Sequence, residues 1–327
     1  MAVNWQEFVE VIQRHERFIL TSHIRPDCDA LGSVLGMMDI LEQLGKDVMI
    51  VNGQPTPPNL SFIDPENRIL AIGVDVQLED LQDRDIHMVL DTSAWAQLGS
   101  MGDVIKAMDI PLVVVDHHQG EDDLGATFFK DTSAEAAGKL VADAADALGV
   151  EWNARMARPL FAAVATDTGW YRFGSTGAGT YQLASRLVEA GAIPAEIYGA
   201  LYEQETLGRL RLRGTVLERV RVELEGRLAH TFIRLEDFGN TGAVPTDTED
   251  LVNLCLTIQG TDAAMILVEQ SAGVYKVSFR SRCELNCSEL AKEFGGGGHK
   301  AAAGAGIEGP FDECQRRLLD AMIAKLQ

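Results

Sequence analysis

The run Val113-Val114-Val115-Asp116-His117-His118 constrains this chain more tightly than any other segment. Its β-branched residues read as a buried strand. An acid and two imidazoles cannot stay buried without partners, so the triplet marks the end of that strand and a place where polar groups converge. The same arrangement recurs. Phe18–Ser22 runs into Ser22-His23-Ile24-Arg25-Pro26-Asp27-Cys28-Asp29, and Met88–Asp91 runs into Asp91-Thr92-Ser93. Further short runs lie at Val48–Asn52 and Thr127–Phe129, and helical spacing covers Ala30–Leu44, Ala134–Leu148 and Met156–Asp167. Strands alternating with helices predict an α/β fold with a mostly parallel sheet. In such folds the chemistry sits beyond the carboxyl ends of the strands, where these motifs fall.

At 327 residues the chain is long enough for two domains. We expect a catalytic domain over 1–190, a helical connector over 191–225, and a smaller α/β (α+β) domain over 226–327. Pro194 suits the first turn of a connector helix, and Arg209, Arg211, Arg213, Arg219 and Arg221, mixed with Glu218 and Glu223, read as its solvated face. In the last part, strands are expected at Leu228–Arg234, Ala264–Glu269 and Val274–Phe279, and helices at Thr248–Ile258, Ser288–Phe294 and Phe311–Leu326.

Charge narrows the function. The net charge is −21, of which residues 1–190 carry 13 Lys+Arg against 29 Asp+Glu. That excludes a protein that coats long duplex DNA, where Lys/Arg–phosphate contacts dominate. No segment has the roughly 18 apolar residues a bilayer requires. Residues 1–18 include Glu7, Glu10, Arg14 and Arg17 and lack a signal-peptide core. Five cysteines, an odd number, favour reduced thiols and a cytoplasmic location, and Cys283 with Cys287 has no second pair with which to hold a metal.

The polar groups at the strand ends suit a metal centre. Pro26 stiffens a turn in which His23, Asp27 and Asp29 can converge. An EF-hand is excluded, because the twelfth loop position is Met38 and not Glu. With Asp91, His117 and Asp167 there are six nitrogen and oxygen ligands and no thiolate, a set suited to Mn²⁺, with Mg²⁺ or Co²⁺ as alternatives. Two ions sharing a carboxylate fit six ligands better than one, and paired ions are a common device for attack on phosphorus esters.

Two further segments point to an anion. Gly295-Gly296-Gly297-Gly298-His299-Lys300 is followed by small residues and is no Walker A motif, lacking Gly-Lys-Ser/Thr. We expect these glycines to open an Ala-rich helix, whose amino end would receive an anion beside His299. In Val277-Ser278-Phe279-Arg280-Ser281-Arg282, strand alternation puts Arg280 and Arg282 on one face, where two guanidinium groups could clamp a phosphate.

The Asp116-His117-His118 triplet, the His23-x-x-Pro26-Asp27-x-Asp29 motif, Asp91 and Asp167 together resemble the DHH phosphoesterase family. Gly295–Gly304 resembles the substrate-binding signature of its companion DHHA1 domain, and the compact length is similar to the nanoRNase / pAp phosphatase branch. The resemblance implies an active site in an interdomain cleft, with His23, Asp27 and Asp91 on one ion and Asp29, Asp91, His117 and Asp167 on the other. It implies that Asp116 orients a histidine, that His118 donates to a phosphoryl oxygen, and that Ser278, Arg280 and Arg282, with Gly296, Gly297, Gly298 and His299, hold the substrate. Where many relatives carry an arginine after the second motif, this chain has Ala94-Trp95-Ala96-Gln97. The expected reaction is hydrolysis of RNA a few nucleotides long and of 3′-phosphoadenosine 5′-phosphate (pAp). A linear or cyclic dinucleotide phosphodiesterase is the alternative, and a metal-dead nucleotide sensor stands as a different class. Expected partners are short single-stranded RNA or nucleotides, with no long duplex and no membrane; a homodimer is left open.

Overall fold

The computed structural model describes residues 3–327, which form two compact units divided between Glu203 and Gln204. The division falls inside the range expected for a connector. In the first unit the order is α1 (Trp5–Arg14), β1 (Arg17–Thr21), α2 (Cys28–Gln43), β2 (Asp47–Asn52), β3 (Ile69–Ala71), β4 (Ile86–Leu90), α3 (Trp95–Leu98), α4 (Ser100–Ala107), β5 (Leu112–Asp116), β6 (Thr127–Lys130), α5 (Ala137–Leu148), α6 (Ala154–Asp167), α7 (Ala178–Glu189) and α8 (Pro194–Tyr202). Its six strands form one parallel sheet in the order β3-β2-β1-β4-β5-β6. The direction of winding reverses between β1 and β4, which opens a crevice at their carboxyl ends.

Both sheet faces are covered, as a parallel sheet requires. Phe18 and Leu20 of β1 join Ile50 and Met88 in a core with Leu31 and Met37 of α2 and Leu160 of α6. Ile19 faces the other way, into a smaller cluster with Val51 and with Met101 and Val104 of α4. Five strands lie where the apolar runs predict them. β3 was not expected, because three residues carry no period. Asp64 and Asp75 hold it in place, accepting from the Ile69 amide at 2.8 Å and the Ala71 amide at 2.9 Å.

The second unit runs α9 (Leu207–Glu218), β7 (Arg221–Glu223), β8 (Leu228–Ile233), α10 (Leu235–Thr241), α11 (Leu251–Cys255), β9 (Ala263–Ser271), β10 (Val274–Ser281), α12 (Cys287–Lys292), β11 (Gly297–Gly298), β12 (Ala302–Glu308) and α13 (Phe311–Leu326). Its mixed sheet has the order β11-β12-β10-β9-β8-β7. Val277 and Phe279 bury one face against α12 and α13, whereas Ala264, Ile266 and Val268 bury the other against α9 and α11. The helix expected over Thr248–Ile258 shrinks to α11, because Asp250 takes a left-handed conformation, φ +61°, just before it. All five cysteines are free thiols. Among the described residues no helix is long and apolar enough to cross a membrane.

The glycine run does not open a helix. Gly297 and Gly298 pair with Gly304 and Ala303 as a two-residue strand, and the small residues after Lys300 form β12, antiparallel to β10. Alanine favours helices in isolation, but sheet pairing overrides that preference, and the small side chains permit close packing. A Cβ on Gly296 would overlap the Gly304 carbonyl oxygen and lie 2.7 Å from the Ala305 Cα. Gly296→Ala should therefore force the hairpin apart and cost about 1–3 kcal/mol in urea unfolding of the second unit. An unchanged midpoint would show that the hairpin is not closely packed.

Candidate metal centre

Three polar motifs close on the crevice between β1 and β4. Asp91 follows β4 directly, at φ +64° and 2% exposed. It lies between two imidazoles: His23 Nε2 is 3.3 Å from Oδ2 and His117 Nε2 is 3.4 Å from Oδ1. His23 follows β1 and His117 follows β5, so adjacent strands of the sheet aim all three. Each ring is oriented from behind. His23 Nδ1 lies 2.9 Å from the Ile24 carbonyl and His117 Nδ1 lies 3.1 Å from the Ala134 carbonyl. With a hydrogen on each Nδ1, each Nε2 faces carboxylate oxygens, so that either a proton or a bound cation lies between them.

The remaining carboxylates complete the cluster. Asp27 caps α2, accepting on Oδ1 from the Asp29 and Ala30 amides at 2.9 and 3.0 Å, and lies 4.0 Å from His23 Nε2. Asp29 is buried at the start of α2 and takes the Ala137 and Gly138 amides of α5 at 2.7 and 2.8 Å. Asp167, the last residue of α6, lies 3.6 Å from His117 Nε2, the same separation as Asp29. His23, Asp27 and Asp91 thus form one group, and Asp29, His117 and Asp167 another, each with ligand atoms within 4.8 Å of one another. All six residues expected from the sequence come together.

The electrostatics describe buried carboxylates that need positive charge beside them. Burial, and then the neighbouring Asp91, raise Asp29 well above the usual carboxylate range. Burial opposes charge on His23 and His117, but the Asp91 hydrogen bond, the backbone carbonyl and the nearby carboxylate charges together outweigh it and raise both to about 9. Burial likewise disfavours the Asp91 carboxylate, yet the hydrogen bonds from His117 and His23 hold it below its ordinary value. The His117 contact is long, however, and the buried Asp91 Oδ1 has no well-formed hydrogen bond. That poorly satisfied oxygen, the imidazole nitrogens aimed at it and the thiolate-free donor set fit divalent cations.

Asp116 lies behind this cluster and makes no part of it. Its Oδ1 is 2.9 Å from His118 Nδ1, while Oδ2 accepts from Ser93 Oγ at 2.6 Å and lies 3.1 Å from Lys130 Nζ. Burial works against the Asp116 charge, but the bonds from His118, Ser93 and Lys130 keep its carboxyl well below the usual range. The Asp116 bond in turn raises His118, whose ring is more than half exposed. Sequence reasoning missed Ser93, Lys130 and the two α5 amides. Lys130 stands opposite Asp116 across β5 and β6, a register the sequence does not display. Gln97 lies on α3 with an exposed side chain, and its carbonyl accepts from the Ile24 amide at 2.7 Å.

The other expected residues belong to the second unit. Ser278 and Arg280 lie on β10, opposite Gly304 and Ala302 of β12, a half-exposed strip floored by small side chains. Arg280 Nε donates to Asn253 Oδ1 at 3.2 Å, one terminal nitrogen donates to the Phe279 carbonyl at 3.1 Å, and the other lies 3.9 Å from Asp250. Arg282, beyond the strand end, donates instead to the Thr261 and Ile258 carbonyls at 2.6 and 3.3 Å, so its guanidinium is already tied to the loop before β9. Gly297, Gly298 and His299 are exposed at the edge of this sheet, with Gly296 half-buried under it.

Comparison with known proteins agrees with this geometry. Residues 17–166 match the DHH family, N-terminal domain, and residues 227–327 match the DHHA1 domain. A protein of Thermus thermophilus named bifunctional oligoribonuclease and PAP phosphatase NrnA is 30% identical over 94% of this chain and 89% of its own length. The chain belongs to the DHH family. The Bacillus subtilis protein of the same name is 28% identical over 96% of both chains. The crystal structure of an exopolyphosphatase-related protein from Bacteroides fragilis superimposes with a TM-score of 0.78 at 25% identity, covering 98% of this chain and 95% of its own.

Lys130 gives this DHH unit a test. Its side chain is 10% exposed and that of Asp116 0%, so Lys130→Met leaves a buried charge without its cation. The expected cost is about 3 kcal/mol at neutral pH, the low end for such a loss, because Ser93 and His118 remain. A depressed carboxylate contributes stability above its unfolded pKa, near 4, and loses it as pH falls through the folded value. The deficit of Lys130→Met should accordingly shrink below about pH 4. Urea unfolding of both proteins across that range would show it; a deficit independent of pH would assign Lys130 to packing alone.

Proposed function

We propose that this DHH-family hydrolase cleaves short oligoribonucleotides, of two to five nucleotides, and pAp, releasing mononucleotides and AMP. The observation that carries the reading is the pair of ligand groups meeting at Asp91, in a chain matched over nearly its full length by proteins named oligoribonuclease and PAP phosphatase. His23, Asp27 and Asp91 would hold one divalent ion, and Asp29, Asp91, His117 and Asp167 the other, with Mn²⁺ best suited to mixed imidazole and carboxylate. Bound ions there supply polarisation of a phosphoryl oxygen and a lowered pKa for water.

The chain's own residues do the rest. Asp116 holds His118 by Nδ1, and the shift of His118 toward its charged form leaves Nε2 able to donate to a phosphoryl oxygen as charge develops on it. Asp116 is thus a positioning residue. On the second unit, Arg280 offers a guanidinium to a terminal phosphate, with the Ser278 hydroxyl, the exposed Gly297 and Gly298 and the His299 side chain beside the same small-residue strip. Gly296 supports that strip from beneath. Arg282, beyond the strand end and bonded to two backbone carbonyls, would be the second guanidinium of the clamp. The net charge of −21 repels each further phosphate that remains outside the site, which favours short substrates.

The direct test is a panel of pAp, pApA, pGpG, cyclic di-AMP, pyrophosphate and RNA of 2 to 24 nucleotides, incubated with purified protein and Mn²⁺. pAp and the shortest RNAs should be cleaved much faster than the 24-mer, and chelation or Asp91→Asn should abolish turnover. Equal rates on 2-mer and 24-mer RNA would favour a processive exonuclease, and cleavage confined to cyclic di-AMP would favour a cyclic dinucleotide phosphodiesterase.

A second experiment isolates the anchor. Arg280→Ala should lower kcat/KM on 5′-phosphorylated dinucleotides by about one to two orders of magnitude, the value of a charge-assisted contact. On the dephosphorylated dinucleotide it should match the parent, with metal content unchanged. Equal losses on both substrates would assign Arg280 a structural role.

A further inference from the structure

The chain leaves α6 at Asp167 through an unusual turn. Gly169, Trp170 and Tyr171 lie consecutively in the left-handed region, at φ +57°, +59° and +63°. Bulky residues enter that region only against steric opposition, so the surroundings must impose it. Thr168 is the hub: its carbonyl accepts from the Arg172 and Phe173 amides, both at 3.0 Å, and its hydroxyl accepts from the Tyr171 amide at 3.0 Å. The Trp170 amide donates to the Ala165 carbonyl at 2.6 Å, and Arg172 Nε donates to the Gly169 carbonyl at 2.7 Å. The Trp170 and Tyr171 rings pack against Phe161, and Trp170 also meets Tyr198 and Tyr202 edge-on.

This braced turn sends two rings against the core and leaves a third outside. Phe173 is 55% exposed. Its ring lies directly over Gly169, where any Cβ would overlap the ring atoms. Gly169 is two residues from Asp167, at most about 7 Å of chain. The phenyl ring is therefore held over the residue two positions after Asp167, whose carboxylate meets His117 in the candidate metal centre. A single exposed apolar residue is common and needs no purpose. This one differs because a strained, multiply bonded turn fixes it on the segment that leaves the site.

We infer that Phe173 is the platform on which a nucleobase of the substrate stacks, a specificity-determining contact of the DHH unit. The inference rests on the proposed nucleotide substrate. Every base presents a π face, so stacking on one ring selects for nucleotides over other phosphate esters without selecting among bases. It also explains the strain: a relaxed turn would leave the ring mobile, and an ordered ring loses less freedom when the base arrives.

Phe173→Ala and Phe173→Leu should raise KM for a dinucleotide roughly 5- to 100-fold, with kcat within about twofold of the parent, whereas Phe173→Tyr should stay close to it. Leucine keeps the apolar bulk and removes the π face. On a doubly abasic analogue all four proteins should have the same KM. Calorimetric binding of the dinucleotide with a chelator present reads the same contact without turnover and should weaken by a similar factor. A parent that binds dinucleotide but hydrolyses none of the panel would refute the proposed activity and leave the stacking contact standing. Phe173→Leu equal to the parent in KM and binding, or equal losses on the abasic analogue, would overturn the inference, as would a change only in oligomeric mass.

Discussion

Repulsion among carboxylates that share one crevice is the constraint to which the rest of the DHH unit answers. Asp29 and Asp91 are both almost fully buried and each raises the cost of ionising its neighbours. Left to themselves such groups would protonate or move apart. They stay because each is held from outside the cluster. Asp29 is fixed by two amides at the start of α5, Asp27 by two at the start of α2, and Asp91 by imidazoles on both sides. The Nε2 atoms left facing inward turn a repulsive arrangement into a receptor for cations.

Parallel winding makes that arrangement attainable. His23, Asp91 and the Asp116-His117-His118 triplet come from three adjacent strands, so the sheet alone brings them to one edge. The two helices that supply the other acids approach from opposite senses. Asp27 and Asp29 open α2, where an anion meets unpaired amides, whereas Asp167 closes α6, where the helix dipole disfavours it. Close packing of Gly32 and Gly36 against Pro159, Leu160 and Ala163 fixes one helix against the other and so sets the separation of these acids.

The second unit follows a different economy. The strip proposed to face the substrate is made by removing side chains: Gly304 and Ala302 opposite Ser278 and Arg280, and glycines along the neighbouring edge. The same smallness hid β12 from sequence reasoning. Alanine and glycine carry neither the alternation nor the β-branched signal of a strand, and their helical or flexible preferences are outvoted by hydrogen bonding to β10. The two arginines were equally deceptive. Strand alternation places Arg280 and Arg282 on one face, but β10 ends at Ser281, and the guanidinium beyond it turned to two backbone carbonyls.

The sequence by itself determined the alternating architecture and pointed to the six groups of the candidate metal centre, because apolar runs that end in acids and imidazoles allow few other resolutions. Those signals are local, written just after β1, β4 and β5 and, for Asp167, at the end of α6. What only the tertiary structure decided depends on how the chain packs: Lys130 under Asp116, the Ala134 carbonyl behind His117, the α5 amides on Asp29, and the turn that holds the Phe173 ring over Gly169. A lysine, a carbonyl or a phenylalanine looks the same in sequence whether it faces water or a carboxylate. Register and packing make the difference, and both exist only once the sheet has closed around its charges.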